Sequence, residues 1–126
     1  MKKWLSTLII ILILTIPSLS FSGTQNGTIT SDEGTVAMPL RNQASAAVNI
    51  TGVWTSTIVF EVSNDFNTWT IVDVRSVSAQ ANVESTIING YFTFTDLNGA
   101  IYVRVRATGL TTGTIIVALS ASMGRS

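Results

Sequence analysis

The chain contains neither Cys nor His, so the side chains with chemistry to offer are carboxylates, arginines, tyrosines and tryptophans. Composition excludes thiol and Ser-His-Asp nucleophiles, histidine-bearing zinc sites, disulfides and CxxC redox centres. What remains for catalysis is a pair of carboxylates set across a sugar, as in glycosidases. The acids are Asp32, Glu33, Glu61, Asp65, Asp73, Glu84 and Asp96, and their spacing singles out no pair. Glu61 and Asp73 fall on predicted strands that could meet across a hairpin, but a like-charge pair there is more often avoided than used. Asn64-Asp65-Phe66-Asn67 places oxygen ligands in a turn yet lacks the Asp-x-Asp-x-Asp-Gly frame of a calcium loop, so an Asx turn capping a hairpin is expected instead. No catalytic residue, metal ligand or cofactor is predicted.

Binding chemistry is better represented. Tyr102, Arg104 and Arg106 alternate along one predicted strand and so share a face, and Tyr91 lies on the predicted strand before it. Tyrosine and arginine are the types that dominate interface energies, which makes these four residues the candidate interaction surface. Such a row could meet a protein partner, including further copies of the chain, or stack against a glycan. The plainer reading is a solvated strand face whose arginines pair with Glu61 or Asp73. Trp54 leads into an apolar strand and Trp69 shares a face with Ile71, so both are expected in the core with Phe60, Phe92 and Val103.

Those residues need elements to hold them. From Gly23 onward the chain has 16 Thr, 12 Val and 9 Ile against 4 Leu, a bias toward β-branched residues that pack well on pleated surfaces. Turn pairs such as Glu33-Gly34, Thr51-Gly52, Asn64-Asp65, Asn89-Gly90, Asn98-Gly99, Thr108-Gly109 and Thr112-Gly113 punctuate this stretch. Strands are predicted near 27–31, 35–38, 46–51, 57–63, 68–74, 83–88, Tyr91 to Asp96, 101–108 and 114–122, with 78–82 as an exposed loop. Alternation sends Ile58, Phe60, Val62, Phe92, Phe94, Ile101, Val103, Val105 and Ala107 inward, and leaves Ile116 outward. Asn89-Gly90 carries the signature of a type I′ hairpin, and Asn98-Gly99 would extend it into a meander from Val83 to Thr108. The fold predicted is an all-β, antiparallel β-sandwich of jelly-roll or immunoglobulin-like order, one domain over residues 23–126.

The first 22 residues read differently. Lys2 and Lys3 precede the apolar run from Leu5 to Ile16, which ends at Pro17 and the small polar stretch before Gly23. That is the layout of a secretory signal, with Ser20 and Ser22 suited to the cleavage site, so export is expected, to the periplasm, cell surface or beyond. An uncleaved leader would be the chain's means of touching a membrane. Beyond the leader five arginines face seven acids, a formal charge of about −2 that gives no basis for nucleic-acid binding.

The run Val53-Trp54-Thr55-Ser56-Thr57-Ile58-Val59-Phe60-Glu61-Val62-Ser63-Asn64-Asp65-Phe66-Asn67-Thr68-Trp69 resembles the pattern W-x-G-T-x-x-F-E-x-S-x-D-x-x-x-W. That pattern belongs to small β-sandwich proteins of tailed bacteriophages and prophages, virion-associated structural or decoration proteins. Asn89-Gly90-Tyr91, the strand Tyr102 to Ala107 and the turn Leu110 to Thr114 match as well, so the resemblance covers about Ala46 to Met123. Ser56 stands where the pattern has Gly, and a leader is unusual for proteins that assemble inside the cell. The resemblance implies a fold and a non-enzymatic role in assembly or attachment, with a surface carbohydrate-binding module as the alternative.

Overall fold

The computed structural model describes residues 23–95, 97 and 99–122. The expected leader over 1–22, Asp96 at the end of one predicted strand and Asn98 of the predicted Asn98-Gly99 turn lie outside the described residues. Within them all regular structure is β: β1 (Gly23–Ile29), β2 (Thr35–Pro39), β3 (Ser45–Ser63), β4 (Thr70–Ile71), β5 (Val74–Ser76), β6 (Ala81–Val83), β7 (Ser85–Thr86), β8 (Gly90–Phe94) and β9 (Tyr102–Ser122). Every pairing between them is antiparallel.

The architecture is governed by β3 and β9, of 19 and 21 residues, which pair along nearly their whole length. Four of the predicted strands are therefore two. Thr51-Gly52 and Thr112-Gly113 look like chain reversals in sequence, but here their glycines take positive φ (104° and 95°) inside a paired ribbon. Only glycine fits: a Cβ on Gly52 would strike the Thr114 carbonyl, and one on Gly113 the Val53 carbonyl and the Trp54 Cα. Pairing continues through these glycines and is interrupted once, at a bulge where β9 uses residues 109–111 to pass the single β3 residue Ser56, and such a bulge bends the ribbon.

The bend divides the ribbon's partners. The half where residues 45–51 face 116–122 pairs with β1 on one side and β8 on the other, and β8 continues to β5 and β6. The half where 57–63 face 102–108 pairs with β2, β4 and β7. Both halves feed one core, in which Val48, Ile50, Val117 and Leu119 join Ile58, Phe60, Val103 and Val105, all fully buried. Phe60 packs its ring 5.2 Å from Phe92 and, edge-on, 6.2 Å from Phe94.

Alternation placed Phe60, Phe92, Phe94, Val103, Val105 and Ala107 correctly inside and Ile116 outside. Ile101 departs from it: the residue precedes β9, spends its backbone N–H on the Ser63 carbonyl, and is 48% exposed. The Asn89-Gly90 hairpin and the meander do not form. Residues 85–86 pair with β3, residues 81–83 turn back on β5, and β8 inserts between β3 and β5. Asn89 instead braces the bend. Its Oδ1 accepts from Trp54 Nε1 at 2.8 Å, and its Nδ2 donates to the Gly52 carbonyl at 2.9 Å. Trp54 packs against the core from its edge, half-buried, because its indole N–H needs this partner.

Candidate functional site

On the ribbon half that carries β2 and β4, the face turned away from the core is set by register. Glu61 lies directly across from Arg104, Val59 from Arg106 and Ser63 from Tyr102. Glu61, expected on the solvent face, does point to that side but is only 3% exposed. Two guanidiniums roof it: Arg104 Nε donates to Oε1 at 2.7 Å, and Arg106 donates from Nη2 to Oε2 at 3.0 Å and from Nε to Oε1 at 3.2 Å. Burial pushes the Glu61 carboxyl up, but the hydrogen bonds and charges of Arg106 and Arg104 outweigh it, so its pKa falls below the ordinary 4.5. Glu61 also raises the pKa of Arg106. The expected pairing of the arginines with Glu61 is present; Asp73 is exposed between β4 and β5, and Ile71 takes the place opposite Glu61.

A second acid closes the row. Arg106 Nη1 donates to Glu33 Oε1 at 2.6 Å, and Glu33 is held in place by its turn. Its N–H bonds the Ala107 carbonyl, Ala107 N–H bonds the Gly34 carbonyl, and Asp32 Oδ1 accepts from Leu110 N–H at 3.1 Å. Two acids and two arginines leave the cluster without net charge.

The aromatic cover comes from the turn after β3. Ser63 Oγ accepts from Asp65 N–H and Phe66 N–H, and Asp65 Oδ1 accepts from Asn67 N–H, Thr68 N–H and the Ser63 hydroxyl. This is the expected Asx turn, and the backbone bonds of Thr68 and Asn67 hold the Asp65 carboxyl below its usual range. Phe66, at φ 63°, is thrown across the face edge-on to Tyr102 (5.0 Å) and Trp69 (5.3 Å). Trp69 lies over Arg104 with the guanidinium 4.1 Å from its ring centroid. Trp69 is therefore not the core residue that its alternation with Ile71 suggests. The Asx turn interrupts the strand, β4 begins at Thr70, and the indole returns over the outer face as a lid on the ion cluster.

Of the four residues predicted for the interaction surface, the fold brings together Tyr102, Arg104 and Arg106. Tyr91 is elsewhere: it sits on β8 opposite Asn49, on the other half of the ribbon, 46% exposed. Sequence reasoning missed Phe66, Trp69 and Glu33 as members of the site. The turn signal Asn64-Asp65 was legible, but which way a turn throws its aromatic residues depends on one positive φ, and Glu33 reaches Arg106 only through the pairing of β2 with β9. Chemically the arrangement is a rigid, neutral, aromatic and guanidinium surface. Glu61 stays ionised with both oxygens occupied, and such a carboxylate is a poor proton donor at neutral pH.

No protein-family model matches the chain, and no curated protein matches it in sequence. Solved structures resemble it in fold. The SPBc2 prophage-derived protein YomS superposes with a TM-score of 0.66 at 15% identity, covering 82% of this chain and 97% of YomS. The PBSX exported protein XepA gives a TM-score of 0.65 at 16% identity, covering 82% of this chain and 39% of XepA. The antiparallel all-β fold of this chain is thus similar to that of YomS and to a portion of XepA.

Proposed function

We propose that the chain is a non-enzymatic interaction module of phage origin, exported, and that it presents the face of Tyr102, Arg104 and Arg106 to a protein partner, a virion subunit or a further copy of itself. Its two ribbon halves, sharing one core, support a sandwich of two layers. The observation that carries the reading is the clasp of Phe66, Trp69 and Tyr102 over the Glu61 cluster. Phe66 is 54% exposed, and neighbouring Ile71 and Ile101 are 47% and 48% exposed. Aromatic groups fixed in place before contact lose little freedom on binding, and a guanidinium already neutralised costs less to desolvate than a free one. The phage and prophage pattern across 53–69 supports the origin, since its Glu, Ser, Asp and second Trp are the residues that build this clasp. The prophage source of YomS, the exported XepA and the leader-like first 22 residues lend further support.

Sedimentation velocity across a concentration series, alone and with candidate virions, tests the proposal. Association of the wild type should weaken by more than about 2 kcal/mol, roughly 30-fold, in Phe66→Ala and Tyr102→Ala, with melting curves little changed. A wild type that stays monomeric and ignores the particles would remove the reading.

A further inference from the structure

The other half of the ribbon carries a second exposed face, which the clasp does not use. Register places Thr24, Ser120, Ala47 and Thr93 in one row across β1, β9, β3 and β8, and Asn26, Ala118, Asn49 and Tyr91 in the next. Four strands about 4.8 Å apart make each row about 14 Å long. The central positions are low, since Ala47 and Ala118 have no reach, while Tyr91 rises 46% exposed at one side. The result is an open trough of about 320 Å³ whose wall is mostly apolar, with Ala46, Ala47, Phe94 and the Tyr91 ring among its lining residues, and with the serines and threonines of these strands set around them. Ser45 and Ser122 already hydrogen-bond each other at 2.9 Å, which fixes one end of it.

We infer that this trough binds a short neutral oligosaccharide. Among the described residues no Asp, Glu, Lys or Arg lines it, so an ionic ligand would lose hydration with no opposite charge from them to meet it. A purely alkyl or aromatic ligand would match the apolar part of the wall but leave the hydroxyls of Thr24, Thr93 and Ser120 without partners. A sugar chain fits both constraints. Each Ser or Thr hydroxyl is donor and acceptor at once and can rotate to suit a sugar hydroxyl. The Tyr91 ring offers a flat apolar surface for the C–H face of a pyranose, and its phenol offers one more polar contact. A trough this open buries only part of a ligand, so weak, millimolar to micromolar affinity is expected. The inference is independent of the protein-partner reading, because its residues and those of the clasp lie on different halves of the ribbon.

The test is a titration of the isotope-labelled protein, followed by amide NMR, with neutral hexasaccharides of glucose, mannose, galactose and N-acetylglucosamine, and with a sialylated hexasaccharide as the charged control. At least one neutral chain should give saturable shifts confined to β1, β3, β8 and β9 around Tyr91. Tyr91→Ala should weaken that binding at least tenfold while leaving the melting curve in place, and Tyr102→Ala should leave it unchanged. Ala47→Leu, which fills the floor, should do the same as Tyr91→Ala. Absence of saturation by every neutral probe at millimolar concentration would overturn the inference, as would equal or tighter binding of the sialylated chain, or binding that survives loss of the Tyr91 ring.

Discussion

Glu61 shows how one residue can be read correctly for direction and wrongly for environment. Alternation puts it on the face away from Phe60, and it is there, but cross-strand register and the turn that starts three residues later bury it. Its removal has a definite pH signature. Because the folded-state pKa lies below the ordinary 4.5, the ionised form contributes stability that is complete above the unfolded value and disappears as pH falls through the folded one. Glu61→Gln should therefore cost about 2 to 3 kcal/mol at pH 7, less than the roughly 3 to 5 for a fully buried pair because both guanidiniums keep some solvent contact. The difference between variant and wild type should shrink steadily below about pH 4.5. Urea melts at pH 7, 5, 4 and 3 measure it directly, and a pH-independent difference would mean that the two arginines do not hold the carboxylate. The aromatic cover was not legible in this way. Nothing in the spacing of Phe66 and Trp69 says that one positive φ will send both rings to the outer face.

The ribbon was the hardest element to read. The sequence marks each half of β3 and of β9 as a strand, and alternation marks the inward residues of 57–63 and most of those of 101–108, yet the joints read as turns. The reason is that glycine after threonine supplies positive φ equally to a reversal and to a bend inside a paired ribbon, and only the partner strand decides between them. The same ambiguity explains Asn89-Gly90. The dipeptide is competent for a type I′ turn, but the Asn89 side chain is taken up by Trp54 and Gly52, and a bracing role outcompetes the hairpin. Two substitutions separate these contributions. Gly113→Ala forces a Cβ into the facing β3 backbone at a positive φ, and should destabilise by more than about 2 kcal/mol. Asn89→Ala removes two hydrogen bonds at an exposed brace and should cost about 1 to 2 kcal/mol. Chemical denaturation with circular dichroism ranks the pair. Were Gly113→Ala the milder change, the close approach of the two strands at the bend would not be what the bend depends on.

At the scale of the whole molecule the feature to explain is how a ribbon with two sets of partners behaves as one body. Twenty residues of strand extend about 65 Å, far longer than the core of so small a protein, so each half alone would present an apolar face to water. The bend lets those faces meet, and Phe60 and Leu119, from opposite halves, enter the same cluster. Class and inward residues were readable from β-branched composition and alternation. The closure was not, because it depends on contacts between positions about 60 residues apart. It predicts cooperative unfolding. Phe60→Ala should cost about 3 to 5 kcal/mol and Leu119→Ala about 2 to 5, each a large part of the roughly 5 to 15 kcal/mol typical of a small protein. In both variants the entire protein should still melt in one transition, with coincident tryptophan fluorescence and circular dichroism and an unchanged denaturant slope. Trp54 at the bend and Trp69 on the clasp report on the ribbon directly. If Leu119→Ala split the transition, with circular dichroism lost before the fluorescence of Trp69, the half containing 116–122 would be unfolding alone. The two sets of partners would then be separate cooperative units joined by the bend, and the shared core would not be what unites them.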